Sequence, residues 1–261
     1  MDDTMGILWQ CLIFCLGACA GSFLNVCIYR LPQGRSIVRP GSACMNCGHN
    51  LAWWENIPIL SFILLRARCS SCGARVSFQY PIVEALTGVM ALMLWRKFGL
   101  SAEFFIYFYF TSNLIIITFI DMEHQIIPDV LSIQGMILGI LFSFLTAHPG
   151  WINSILGMLL GGGTLYLVAW GYQLAAKKEG MGGGDIKLLA MIGAFLGWKA
   201  VPLVIFLSAG VGSVIGLSLI LMQKGTRHTA VPYGPFLALA AVISLLYGTA
   251  LTNWYLNLMA G

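Results

Sequence analysis

Residues 102–121 read AEFFIYFYFTSNLIIITFID, an apolar run closed by a single carboxylate, Asp121. Twenty helical residues rise about 30 Å, the thickness of a bilayer's hydrocarbon. Comparable runs lie at 6–29, 82–95, 128–147, 151–174, 186–198, 200–222 and 231–257, which predicts about eight spans in all. Two of them, 82–95 and 186–198, are short for a full crossing unless they extend into their polar flanks. With 59% hydrophobic and 9% charged residues and a mean hydropathy of +0.85, the chain cannot hide its apolar surface in one water-soluble core. The fold class expected is all-α, a polytopic membrane helix bundle.

The first span follows Met1, Asp2, Asp3 and Thr4 without a basic segment, so it is expected to stay as an anchor and not to be a signal peptide. An outside N-terminus puts Arg30, Arg35, Arg39, Arg66, Arg68, Arg75, Lys177, Lys178, Lys187, Lys224 and Arg227 on the cytoplasmic side. Only Arg96, Lys97 and Lys199 remain outside, which is the bias that orients membrane proteins. Because the basic residues follow topology and form no patch with exposed aromatics, the net charge of +4 makes no case for nucleic acid.

Three regions are expected: a first span at 1–29, a cytoplasmic domain at 30–81, and a membrane bundle at 82–261. The middle one is too small to bury a sufficient core unaided and calls for a staple. Its apolar stretch 57–65 is too short to span, and is expected in the interface or against the bundle. Cys44-Met45-Asn46-Cys47 and Cys69-Ser70-Ser71-Cys72 are two C-x-x-C knuckles 21 residues apart, each followed by a turn glycine, Gly48 or Gly73. That is the spacing of a structural zinc site with four thiolate ligands and no open position. Paired disulfides fit poorly in a reducing compartment, and a redox motif would come singly. Cys11, Cys15 and Cys19, with Cys27, fall within the first span and are expected as small buried hydrophobes. Gly157 with Gly161, and Gly212 with Gly216, have the spacing that lets membrane helices pack closely.

Carboxylates beside hydrocarbon are costly and mark function. Asp121 closes its run on the cytoplasmic side, and Asp185 opens the span at 186–198 on that same side, after Gly182, Gly183 and Gly184. Two neighbouring carboxyls share one proton, so that one activates water while the other protonates a carbonyl oxygen. The glycines remove side-chain bulk beside the carboxylate, so that a substrate backbone or the other aspartate can approach closely; a simple loop-to-helix turn is the other reading of glycines at a helix start. Asp185, at a helix N-terminus, is the expected base, within a pair that titrates together. Asp129 competes with Asp121, but as an acid following Pro128 it reads as a helix start.

These residues resemble the type IV prepilin peptidase family. Asp121 to Asp129, D-M-E-H-Q-I-I-P-D, is similar to its first aspartate motif, and Glu179 to Lys187, E-G-M-G-G-G-D-I-K, to its second, with a G-x-G-D signature. The likeness extends to Gly21–Val26, Arg30–Pro32, both knuckles, Glu55–Pro58, Tyr80–Glu84 and Pro232–Phe236, in order along nearly the whole chain. The resemblance implies a bifunctional enzyme of the bacterial inner membrane with Asp121 and Asp185 as its catalytic pair. Such an enzyme cuts the short basic leader of prepilins and pseudopilins after a glycine, then methylates the new N-terminus with S-adenosylmethionine. No residue for the methyl donor is legible, and Glu84 suits either a place near one of the reactions or a buried structural role. The alternative from another class is an ion- or proton-coupled transporter, which would put its acids near mid-membrane and show internal repeats.

Overall fold

A computed structural model describes residues 3–146, 148–177, 182–222 and 232–260; Asp2, Lys178, Glu179, Lys224 and Arg227 lie outside them. The helices are α1 (Asp3–Arg30), α2 (Leu60–Leu64), α3 (Gln79–Phe98), α4 (Ala102–His124), α5 (Asp129–Phe142), α6 (Trp151–Ala176), α7 (Gly183–Leu196), α8 (Val201–Met222) and α9 (Gly234–Ala260). Among the described residues there is no strand, only the isolated bridges Ala43–Asn50 and Arg68–Arg75. Each expected span falls on a helix, and the apolar stretch of the cysteine loop forms the extra helix α2. Among the described residues, five helices, α1, α4, α6, α8 and α9, are long and apolar enough to cross a membrane. The segment expected at 82–95 does extend into its flanks, as the 20-residue α3, whereas α7 stays at 14 residues and stops at Gly197, whose φ of +80° ends the helix.

The chain forms two compact units, Met1–Ile116 and Ile117–Gly261. In the first, α1 lies on α3 with almost no side chain between them: a Cβ on Gly21 would come 2.7 Å from the Glu84 Cα, and one on Gly17 2.6 Å from the Ala91 Cβ. Polar ties lock the contact where the cysteine loop leaves and rejoins these helices. Asn25 Nδ2 donates to the Tyr80 carbonyl at 3.1 Å, and the buried Glu84 accepts the Ile59 amide at 2.7 Å. Glu84 therefore holds the entrance to α2 against α3, which supplies its structural role.

In the second unit α7 is central, with Leu188 to Phe195 all buried. It packs on α6 through glycine, as the 157/161 spacing predicts: a Cβ on Gly161 would stand 2.5 Å from the Leu189 carbonyl oxygen, and one on Gly157 2.7 Å from the Gly197 carbonyl carbon. Ser154 Oγ donates to the Ala194 carbonyl at 2.6 Å across the same seam. On another side α5 contributes Gly135 against Met191 and Gly139 against Ala194 and Phe195. Two expectations need correction. A Cβ on Gly212 would come 3.3 Å from the Phe236 ring of α9, but one on Gly216 would meet nothing within 4 Å among the described residues, so there close packing ends a turn earlier than the spacing suggests. Cys11, Cys15 and Cys19 are exposed on α1 and only Cys27 is buried, because α1 turns its small glycine face, not its cysteine stripe, toward α3.

Candidate active site

Asp121 sits in the last turn of α4 and is buried, 5% exposed. One turn on, the Gln125 amide donates to the Asp121 carbonyl at 2.9 Å and Gln125 takes a left-handed conformation, φ +54°. That ends the helix and leads the chain through Ile126 and Ile127 to Pro128, the N-cap of α5. Asp185 sits in the first turn of α7, half-buried, with its amide donating to the Gly182 carbonyl at 3.2 Å. Both aspartates line one cavity of about 260 Å³, together with Gln125, Ile127, Asp129 and Gly184.

The glycines divide by role. A Cβ on Gly184 would come 3.0 Å from the Ile127 Cβ, so this glycine lets the α7 entrance close on the segment after α4. Gly183 has nothing within 4 Å, and Gly182 only the Asp185 carboxylate at 3.8 Å and the Gly184 amide at 4.0 Å. Among the described residues, a side chain at Gly182 or Gly183 would thus meet open space or the Asp185 carboxylate. Asp129 is the first residue of α5, as expected of an acid after proline, and its Oδ1 accepts from Lys187 Nζ at 2.6 Å, which ties α5 to α7 at the rim of the cavity.

One contact at the site has no counterpart in the reading of the residues. The Gly234 amide, at the first residue of α9, donates to Asp121 Oδ2 at 3.0 Å in a buried setting. Asp121 ends one helix but faces the N-terminus of another, so the dipole argument that sets it apart from Asp185 loses its force. The signal lay in Pro232–Phe236, which the sequence offers only as part of a resemblance.

In the first unit, the four expected cysteines come together. Their sulfurs all lie within 4.8 Å of one another, with Cys44 to Cys72 at 3.9 Å and Cys47 to Cys69 at 4.0 Å. These distances exclude disulfides and match the edge of about 3.8 Å that four thiolates form around a tetrahedral ion with bonds of about 2.3 Å. Both knuckles are built alike. The Gly48 amide donates to the Cys44 carbonyl at 2.9 Å and the Gly73 amide to the Cys69 carbonyl at 3.0 Å, with φ of +73° and +70° at the two glycines. Main-chain amides draw thiolate out of the cluster: that of Ala74 leads in bringing Cys72 down to about 6, and those of Cys47 and Asn46 lower Cys44. Cys47 behaves differently. Although the His49 amide pulls Cys47 down, burial and the thiols of Cys72, Cys44 and Cys69 raise it to about 11. A cation is what would allow all four to ionise together.

Glu55, read only as a loop residue, is buried and binds the two knuckles to each other. It accepts from Ser70 Oγ, from the Ala52 amide at 2.7 Å and from His49 Nε2 at 3.2 Å. Those bonds, Ser70 foremost, hold its carboxyl below the usual range.

Comparison with known proteins identifies relatives along most of the chain. Residues 15–98 match the Bacterial Peptidase A24 N-terminal domain and residues 108–217 match the Type IV leader peptidase family. A prepilin leader peptidase/N-methyltransferase of Aeromonas hydrophila is 37% identical over 278 residues, covering 96% of this chain and 94% of that one. The enzyme of the same name from Pseudomonas putida is 34% identical over 255 residues, 89% of this chain and 88% of its own, and that of Myxococcus xanthus is 40% identical over 221 residues, 85% and 66%. No solved structure matches. With matches to both family models and relatives 34–37% identical over about nine-tenths of both chains, the chain belongs to the type IV leader peptidase family, in its prepilin leader peptidase/N-methyltransferase branch.

Proposed function

We propose that the chain cleaves the short basic leader of type IV prepilins and pseudopilins after glycine, using Asp121, Asp185 and a water molecule, and methylates the amine so released with S-adenosylmethionine as methyl donor. The observation that carries the peptidase reading is the single cavity lined by both carboxyls. One proton is held between them. The ionised member takes a proton from water as its oxygen adds to the scissile carbonyl, while the other gives its proton to the carbonyl oxygen. Collapse of the resulting diol breaks the C–N bond and delivers a proton to the leaving nitrogen. The products are a leader carboxyl and a pilin amine; S-adenosylmethionine, when bound, would supply the methyl group for that amine, with S-adenosylhomocysteine and a proton released. Gly182 and Gly183 leave the substrate backbone room to approach Asp185.

The chain is read as a bacterial inner-membrane protein of about eight spans, the shorter helices α3, α5 and α7 completing the five long ones, with its cavity at the cytoplasmic face. The bias of Lys and Arg supports that orientation. Zinc is the metal that suits Cys44, Cys47, Cys69 and Cys72, and four thiolates leave it no open position, so its role is to close the loop. A transporter would carry its acids at mid-membrane, but Asp121 ends α4 and Asp185 begins α7.

The test is cleavage of a prepilin by the purified enzyme in detergent. Asp121→Asn and Asp185→Asn are each expected to abolish it, and full turnover by either variant would reject the dyad. Metal analysis is expected to find one zinc per chain, lost in Cys44→Ser, and labelled methyl donor reports the second activity.

A further inference from the structure

The segment Pro232–Phe236 takes no part in the chemistry above, yet it reaches the reacting atoms. We infer that Gly234 is a positioning residue for Asp121: its main-chain N–H fixes Oδ2 of the carboxyl, and its lack of a side chain is what lets Asp121 approach. This deepens the dyad reading and rests on it.

Gly234 has helical backbone and is absent from the positions of positive φ, so its own conformation does not require glycine. Space does. A Cβ there would lie 2.6 Å from Asp121 Oδ2, 3.2 Å from Cγ and 3.5 Å from Cβ, so any other residue would push the carboxyl out of place.

The contact also sorts the two oxygens. An amide can only donate, and in a protonated carboxyl the carbonyl oxygen is the better acceptor than the hydroxyl. While the Gly234 bond stands, Oδ2 serves as acceptor, and the proton shared with Asp185 is carried by Oδ1.

The donor is itself held from behind. Tyr233 and Ser208 of α8 join their hydroxyls at 2.8 Å, and Ser208 is fully buried. The Phe236 ring lies against Gly212 of α8, and the Phe236 and Leu237 amides both donate to the Tyr233 carbonyl, at 3.1 and 3.2 Å. Pro235, second in α9, has no N–H and a fixed φ, both suited to a helix start. The whole segment thus braces one amide against one carboxylate oxygen.

The experiment is steady-state prepilin cleavage with the full-length enzyme in detergent, separating kcat from KM. Gly234→Ala keeps the amide and adds only the methyl. It is expected to lower kcat by about 100-fold with KM changed less than about twofold, as for a catalytic group displaced by about 1 Å. Retention of half the wild-type kcat by a folded Gly234→Ala enzyme would overturn the inference, as would a loss confined to KM. Should that variant fail to fold, the pair Tyr233→Phe and Ser208→Ala, remote from the carboxyl, is expected to lower kcat about fivefold with KM unchanged, and unaltered kcat in both would overturn it. Asp121→Asn and Asp185→Asn run alongside: activity surviving in these rejects the dyad itself, whereas their loss beside an unimpaired Gly234→Ala rejects only the positioning role.

Discussion

Gly161→Ala changes one hydrogen to a methyl on α6, away from either aspartate, and is expected to damage both stability and cleavage. The added carbon would sit 2.5 Å from the Leu189 carbonyl oxygen and 3.0 Å from its carbon, where ordinary contact begins at 3.4 Å. Main-chain atoms cannot turn aside as a side chain can, so α6 and α7 must part by about 0.9 Å, an overpacking that costs about 1–3 kcal/mol. Against this, alanine gains about 0.5–1 kcal/mol over glycine inside a helix. The net is a loss of about 0–2.5 kcal/mol and a displaced α7. Leu189 is one helical turn beyond Asp185, so the displacement reaches the carboxyl, where about 1 Å is worth up to about 100-fold in rate. Gly163→Ala is the control, because it makes the same chemical change on the same helix with nothing within 4 Å. It is expected to be neutral or slightly stabilising. The assay is kcat/KM for prepilin cleavage beside thermal unfolding in one detergent. Equal values for the two variants in both measurements would refute the packing argument.

Three further outcomes follow from other contacts. Asp129→Asn breaks an ion pair whose partners are 39% and 58% exposed, so stability is expected to fall by less than about 1 kcal/mol and cleavage by less than about tenfold; complete inactivation, measured in the same assay, would make Asp129 a reacting group. Chelation of the proposed zinc is expected to open the cysteine cluster to iodoacetamide, with Cys72 modified first at pH 7 because its thiol is brought down to about 6, and with that preference fading as pH falls through 6; peptide mass spectrometry reads the order. Glu55→Gln is expected to loosen the loop at neutral pH. Because the folded carboxyl lies below its ordinary range, the wild type's advantage is fully present above that range and vanishes as pH falls through the lower folded value, so amide hydrogen exchange of the two proteins, compared at equal pH, should converge in acid.

Hydropathy alone located every long helix, because a chain in hydrocarbon must satisfy its backbone internally and leaves an apolar run of predictable length. Spacing alone predicted the four-cysteine cluster, since two knuckles with a glycine after each can fold in few ways. The cost of a carboxylate beside hydrocarbon drew attention to Asp121 and Asp185, with Asp129 competing, and the structure places all three on one cavity. Other features depend on which backbones touch, and no local pattern encodes that. Gly161 and Gly216 have the same spacing rule behind them, yet only Gly161 meets a neighbouring helix. Cys11, Cys15 and Cys19 look like core residues until α1 is seen to face α3 with its glycines. Glu55 looks like a surface acid until Ser70 and His49 close on it. The partner of Asp121 is an amide 113 residues away, and a main-chain N–H is the one group that sequence cannot distinguish at any position. The residue types of the site were thus written in the chain, while the oxygen of Asp121 that is held, and by what, was decided only when α9 was brought to the end of α4.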